Sequence, residues 1–136
     1  MTNSLINFEL ISSDGKYLNK QIESVYVRVP TYGVMGFLSG SAPLVGALDI
    51  SNFYIVFKGK KEYFAMSGGM LDVRKDKIII LADTFESREE LDKERILEAK
   101  KRAEQKLAKL SKEDALDYEM AEFSLKKAIN RLNLIK

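Results

Sequence analysis

Ile78-Ile79-Ile80-Leu81-Ala82-Asp83-Thr84-Phe85-Glu86-Ser87-Arg88-Glu89-Glu90 is the stretch that divides this chain. Its first five residues form an apolar run of strand length. Ser87 and Glu90 then spell Ser-x-x-Glu, in which hydroxyl and carboxylate each satisfy a backbone N–H left free at a helix start. Strand patterning and helix patterning meet near Thr84.

Upstream, Phe8, Leu10 and Ser12 alternate with Glu9 and Ile11 before the turn residues Ser13-Asp14-Gly15. Val25, Val27 and Val29 alternate with Tyr26 and Arg28, and Pro30, which has no N–H, ends that strand. Thr31–Pro43, with Gly33, Gly36 and Gly40, reads as a loop around a short Val34–Leu38 piece. Further strands are expected at Leu44–Leu48, Phe53–Phe57, Glu62–Ser67, Met70–Arg74 and Lys77–Ala82, with turns at Gly59-Lys60 and Lys75-Asp76. Short strands without an intervening helix predict antiparallel pairing in a sandwich or flattened barrel. The unbroken run Ile78–Leu81 implies cover on both faces, by a helix or by another protein.

Downstream, a helix is expected from Arg88 to Leu110 and a second, starting at Ser111 and Asp114, to about Asn130. Ile96, Ala99, Ala103, Leu107 and Leu110 recur at helical spacing, as do Tyr118, Ala121, Leu125, Ala128, Leu132 and Ile135. With so short a connection the two fold back as an antiparallel hairpin. The class is therefore α+β, with a sandwich over residues 1–86 and a helical hairpin over 87–136. At about 0.8 kcal/mol per CH₂, each seam alanine forfeits roughly 2 kcal/mol relative to leucine. Such a hairpin is marginal alone and must dock, on the sandwich, on a partner, or on each in turn.

Composition narrows the chemistry. The chain has 136 residues, 46% hydrophobic and 31% charged, as in a soluble globular protein. No apolar run reaches the roughly 20 residues of a membrane helix, and no export signal pattern is visible. Net charge is +2, too small to imply a nucleic-acid partner. From Ser87 onward lie 13 basic and 11 acidic residues, out of totals of 22 and 20. The tail is thus charge-dense in both signs, which suits solvated helices. The absence of histidine and cysteine removes the common nucleophile–base pairs, the usual zinc sites and disulfides. Glu89-Glu90 and Glu113-Asp114 fall in expected first helical turns, where acids favour the helix dipole. No catalytic residue and no metal site is expected.

The ordered segments Gly33-Val34-Met35-Gly36-Phe37-Leu38-Ser39-Gly40-Ser41-Ala42-Pro43-Leu44, Ser67-Gly68-Gly69-Met70-Leu71-Asp72-Val73 with Ile80-Leu81-Ala82-Asp83, and Ala128-Ile129-Asn130-Arg131-Leu132 closely resemble the epsilon subunit family of bacterial F-type ATP synthases. The resemblance spans nearly the whole chain. Ser39 and Ser41 depart from it, standing where that family often has proline and histidine.

The resemblance implies a non-catalytic central-stalk subunit at the cytoplasmic face of the cell membrane. Its sandwich would meet the gamma subunit and the c-ring, with Tyr32, Gly33, Met35, Gly36, Ser39 and Ser41 as the contact loop. Its hairpin would move up to the catalytic alpha and beta subunits and block ATP hydrolysis, with Lys100, Lys101, Arg102, Lys106 and Lys109 as the basic face. No cofactor is required, but some members bind ATP as a regulatory ligand. The matching residues are Glu86, Leu91, Asp92, Arg95, Ile96, Arg102, Lys127 and Arg131. Arginines would clamp phosphate, while Glu86 and Asp92 hold the base. Ile96 replaces the family's alanine and Lys127 replaces an arginine, losing its planar fork.

Two readings stand beside this one. The Lys100–Lys109 cluster would suit a free-standing adaptor for acidic protein or nucleic acid, although its interleaved acids oppose that. An Asp/Glu enzyme would need a carboxylate pair in a cleft, and Asp72, Asp76 and Asp83 lie at expected strand ends or turns.

Overall fold

The computed structural model describes residues 4–111 and 113–135. Its strands are β1 (Ile6–Ser12), β2 (Tyr17–Ile22), β3 (Ser24–Val29), β4 (Gly33–Leu38), β5 (Leu44–Phe57), β6 (Lys60–Val73), β7 (Lys77–Ala82) and β8 (Phe85–Ser87). A 3₁₀ turn, Arg88–Glu90, precedes the helices α1 (Lys93–Lys109) and α2 (Ala115–Ile135). The class is α+β: a β sandwich followed by a helical hairpin.

The four strand pieces expected across 44–74 are two long strands. β5 and β6 stay paired from Leu44↔Val73 to Phe57↔Lys60, with Asp49 and Gly68 skipped in the register. There both strands bend from one layer into the other. The core-facing side flips at the bend, so burial moves from Leu48 to Ser51, Phe53 and Ile55. That change of parity imitates a strand break. Gly69 makes the bend possible: a Cβ there would lie 2.0 Å from the Leu81 carbonyl oxygen.

The strand order β2-β1-β7-β6-β5-β3-β4, with β8 on β6, wraps both layers. Expected antiparallel pairing holds except between β1 and β7, which run parallel with Phe8↔Ile78 and Leu10↔Ile80. These strands are remote in sequence, so no hairpin fixes their relative direction. β2 carries exposed Tyr17, Asn19 and Gln21 on a sheet edge, and its weak apolar signal hides it. The predicted loop at 31–43 contains a full strand, β4, entered through Thr31 at φ 79° and Gly33 at φ 83°.

Phe8, Leu10, Ile22, Val25, Val27, Leu71, Ile78 and Ile80 are fully buried between the layers. Phe53 stacks on Phe64 at 5.1 Å and meets Phe8 edge-on at 6.3 Å. In the Ile78–Leu81 run, Ile78 and Ile80 enter the core, but Leu81 remains 49% exposed. The helices pack elsewhere, since α2 rests on β5 and β6.

The Ser87–Glu90 box forms, with the Ser87 N–H and hydroxyl both donating to Glu90 Oε1. It closes only a 3₁₀ turn, and α1 starts at Lys93 rather than Arg88. Leu91 is extended, and the Asp92 carboxylate caps α1 by accepting from the Glu94 and Arg95 amides. A distant cation braces the turn from the other side: Lys16 Nζ donates to Glu90 Oε2 and, at 3.0 Å, to the Phe85 carbonyl. α2 runs to Ile135, beyond the expected Asn130, and buries Leu134 besides Ala121 and Ala128. Ile96 and Ala103 are the buried residues of α1. Among the described residues, no helical residue joins the sandwich core.

Candidate functional site

The hairpin meets the sandwich through polar contacts. Arg131 Nη2 donates to Glu86 Oε1 at 2.8 Å, and Asn52 Nδ2 donates to the Asn130 carbonyl at 3.1 Å. Among the described residues, Asn52 Oδ1 is buried without a hydrogen-bond partner. Leaving such an acceptor unpaired costs about 1–3 kcal/mol.

Beside Glu86 and Arg131 opens a groove of about 340 Å³ between the 3₁₀ turn and the two helices. Of the eight residues assigned to nucleotide, seven line it: Glu86, Leu91, Asp92, Arg95, Ile96, Arg102 and Arg131. Lys127 does not; its Nζ lies 5.0 Å from the centre of the Phe123 ring. Asp92 already caps α1, so its carboxylate has limited capacity for a ligand. Arg95 and Arg102 make no side-chain ion pair among the described residues, and face the groove as unneutralised cations. Ile96 is buried in the helix seam rather than projecting freely.

Glu90 and Ala99 also line this groove, and sequence reasoning missed both. Glu90 was hidden because its capping role looked sufficient. The carboxyl of Glu90 titrates below its usual value of 4.5, chiefly because it accepts Lys16's Nζ hydrogen bond. Lys16 also sits 4.8 Å over the Phe85 ring, tying the β1–β2 turn to the sandwich–hairpin junction. A second tie is aromatic. Tyr26, Tyr54 and Tyr63 form a ladder on the sheet's outer face, and the Arg88 guanidinium lies 4.0 Å over Tyr63.

Of the assigned basic face, Arg102, Lys106 and Lys109 line a second groove, of about 480 Å³, between α1 and α2. Lys100 and Lys101 lie outside it. The assigned contact loop lies at the β4 edge of the sandwich. Tyr32 is 73% exposed there, with Val34 and Leu38 also exposed beside it. Gly36 serves packing: a Cβ would lie 2.6 Å from Tyr26 Cε1. Ser41 closes the turn after β4, its Oγ accepting from the Leu38 amide at 2.9 Å. Met35 packs against the core and Ser39 is half-buried. Among the described residues, no group of three or more acids is placed to hold a metal ion.

Fold and geometry together define a sandwich bearing a docked hairpin, with grooves between the helices lined by charged side chains of both signs, the form of a binding module. Residues 5–88 match the family described as ATP synthase, Delta/Epsilon chain, beta-sandwich domain, and residues 89–136 match its long alpha-helix domain. The ATP synthase epsilon chain of Bacillus licheniformis is 40% identical over 131 residues, covering 96% of this chain and 98% of the relative. That of Bacillus velezensis is 41% identical over 129 residues, covering 95% and 96%. A chain in the Euglena gracilis mitochondrial ATP synthase structure (OSCP/F1/c-ring, rotational state 1) superposes with TM-score 0.81 at 21% identity. It covers 97% of this chain and 82% of the other, and that likeness speaks to fold alone. The chain belongs to the ATP synthase delta/epsilon chain family.

Proposed function

We infer that this chain is a non-catalytic central-stalk subunit of a rotary F-type ATP synthase, held at the cytoplasmic face of the membrane through the complex. Residues 1–86 anchor it to the gamma subunit and the c-ring, and residues 87–136 form a regulatory arm. The arm leaves its resting place to reach the catalytic alpha and beta subunits, where it blocks ATP hydrolysis. The observation carrying this reading is the way the hairpin is attached. α2 rests on β5 and β6 with two hydrogen bonds, Arg131 to Glu86 and Asn52 to the Asn130 carbonyl, and one orphaned acceptor, and among the described residues no helical side chain joins the sandwich core. An arm held this way can exchange one surface for another of similar affinity.

Two further features support the partners. Leu81 at 49% exposed and Met70 at 43% are cross-strand neighbours on the sheet's outer face, an apolar row that suits cover by a stalk protein. Tyr32, Val34 and Leu38 offer another apolar edge, at the loop assigned to the c-ring. ATP acts as a regulatory ligand in the groove of Glu86, Arg95, Arg102 and Arg131, bridging both helices and favouring the folded arm. The deciding experiment removes residues 87–136 and measures ATP hydrolysis by the reconstituted complex. Hydrolysis rises if the arm inhibits; an unchanged rate across ATP concentrations would refute inhibition while leaving the stalk role standing.

A further inference from the structure

The row of cations on α1 does not stop where a nucleotide would. Arg95, Arg102, Lys106 and Lys109 stand at i, i+7, i+11 and i+14, so at 100° per residue they share one flank of the helix. Glu94 and Glu104 fall on other faces; Glu98, at i+3, borders the same flank but lines neither groove. Among the described residues none of these four cations has an ion pair. Arg95 to Lys109 spans about 21 Å at 1.5 Å per residue. The two grooves along this flank adjoin at Ala99 and Arg102, which line both, and Ala99, Ala103 and Ala121 lie in the lining of the second; the adjoining pair is termed the channel. Ser124 and Arg131 line its α2 side.

We propose that this channel binds a linear oligophosphate, a chain of phosphates longer than the three of a nucleoside triphosphate, laid along α1 from Arg95 to Lys109. A slender anion carrying charge at every repeat matches a row of cations over a small-residue floor. Of the carboxylates at the Arg95 end, Glu86 and Glu90 are paired with Arg131 and Lys16, and Asp92 caps α1. Guanidiniums at Arg95 and Arg102 supply bidentate phosphate contacts, and the lysines extend the field. An acidic helix fits less well. A helix about 10 Å wide and 21 Å long occupies roughly 1,600 Å³, against channel segments of about 340 and 480 Å³. It would ride on the rim, beyond reach of the floor. The proposal shares Arg95 and Arg102 with the nucleotide reading but needs no nucleoside.

The test is calorimetric titration of the purified full chain with a defined inorganic oligophosphate long enough to span Arg95 to Lys109, compared with tripolyphosphate. The long chain should bind at least about tenfold tighter, a difference that shrinks as salt screens it. K106Q/K109Q, at exposed positions, should bring the long chain down toward the tripolyphosphate level while weakening tripolyphosphate much less. K60E/K61E, on the far β5–β6 turn, should change neither. Equal affinity for both lengths would overturn the proposal, as would an equal loss in K60E/K61E. Polyglutamate of matched charge binding as tightly would instead assign the channel to acidic peptide. If ATP fails to bind while the oligophosphate binds, the nucleotide reading falls and this one remains.

Discussion

Glu86 and Arg131 are 45 residues apart in sequence, yet their side chains meet at 2.8 Å, joining the last strand to the last helix. Both side chains are about three-quarters buried. The pair lines the groove beside the 3₁₀ turn and also ties the arm to the sandwich, so on the proposed reading ligand binding and arm release would act on the same two residues.

Glu86→Gln keeps the shape and removes the charge. A charge-assisted hydrogen bond is worth about 1.5–3 kcal/mol, and a neutral one about 1 kcal/mol. The arm should therefore open several-fold more often, read as faster amide hydrogen exchange in α2 with the sandwich unaffected. Unchanged exchange in α2 would show that this pair does not hold the arm.

On the proposed reading ATP binds only the folded arm, so it should raise the melting temperature of the purified chain, the rise continuing with the logarithm of ATP concentration beyond saturation. Arg95→Ala and Arg131→Ala should each abolish the shift, since they remove cations from opposite walls of the groove. A shift persisting in both variants would place any bound nucleotide elsewhere.

Much of the fold is legible because burial and periodicity coincide. Phe8 with Leu10, and Val25 with Val27, alternate on strands with one dry face, and the alanine seam repeats at helical spacing. Legibility fails where one residue answers to a distant one. Lys16, remote in sequence, reaches Glu90 Oε2, a tie no local pattern predicts, and the capping box closes only a 3₁₀ turn because Leu91 is extended and Asp92 caps α1 instead. The bend at Asp49 and Gly68 flips the inward side of β5, and local pattern cannot distinguish a flip from a break. The groove was legible as a residue set only through family resemblance. The exclusion of Lys127 from it depends on a side-chain position over Phe123 that no spacing encodes.

Gly69 should tolerate no side chain. The nearest atoms to a Cβ there are backbone, Leu81 O at 2.0 Å and Ala82 Cα at 2.9 Å, so β6 and β7 would have to separate. Gly69→Ala should cost about 3 kcal/mol or more and lower the melting temperature by roughly 10 °C. Gly46→Ala in the paired strand meets nothing within 4 Å and should leave stability unchanged or slightly raised. Equal melting temperatures for the two variants would contradict the bend described here.

Acid should loosen the junction before it unfolds the sandwich. The folded Glu90 carboxyl lies below its ordinary 4.5 because it accepts hydrogen bonds from Lys16 and then from Ser87. A depressed carboxyl pKa contributes stability that is present above the unfolded value and lost as pH falls through the folded one. The window is therefore below about 4.5. The side chains of Lys16 and Glu90 are 36% and 46% exposed, so solvent screening keeps the effect small and local. Lys16→Met retains the apolar stem over Phe85 and removes the cation. Stepping the wild-type protein from neutral pH to below 4.5 should speed exchange in residues 87–92, relative to the intrinsic rate. In Lys16→Met exchange there should already be faster at neutral pH and respond less to acid. An identical acid response in both proteins would mean that Lys16 does not set the junction.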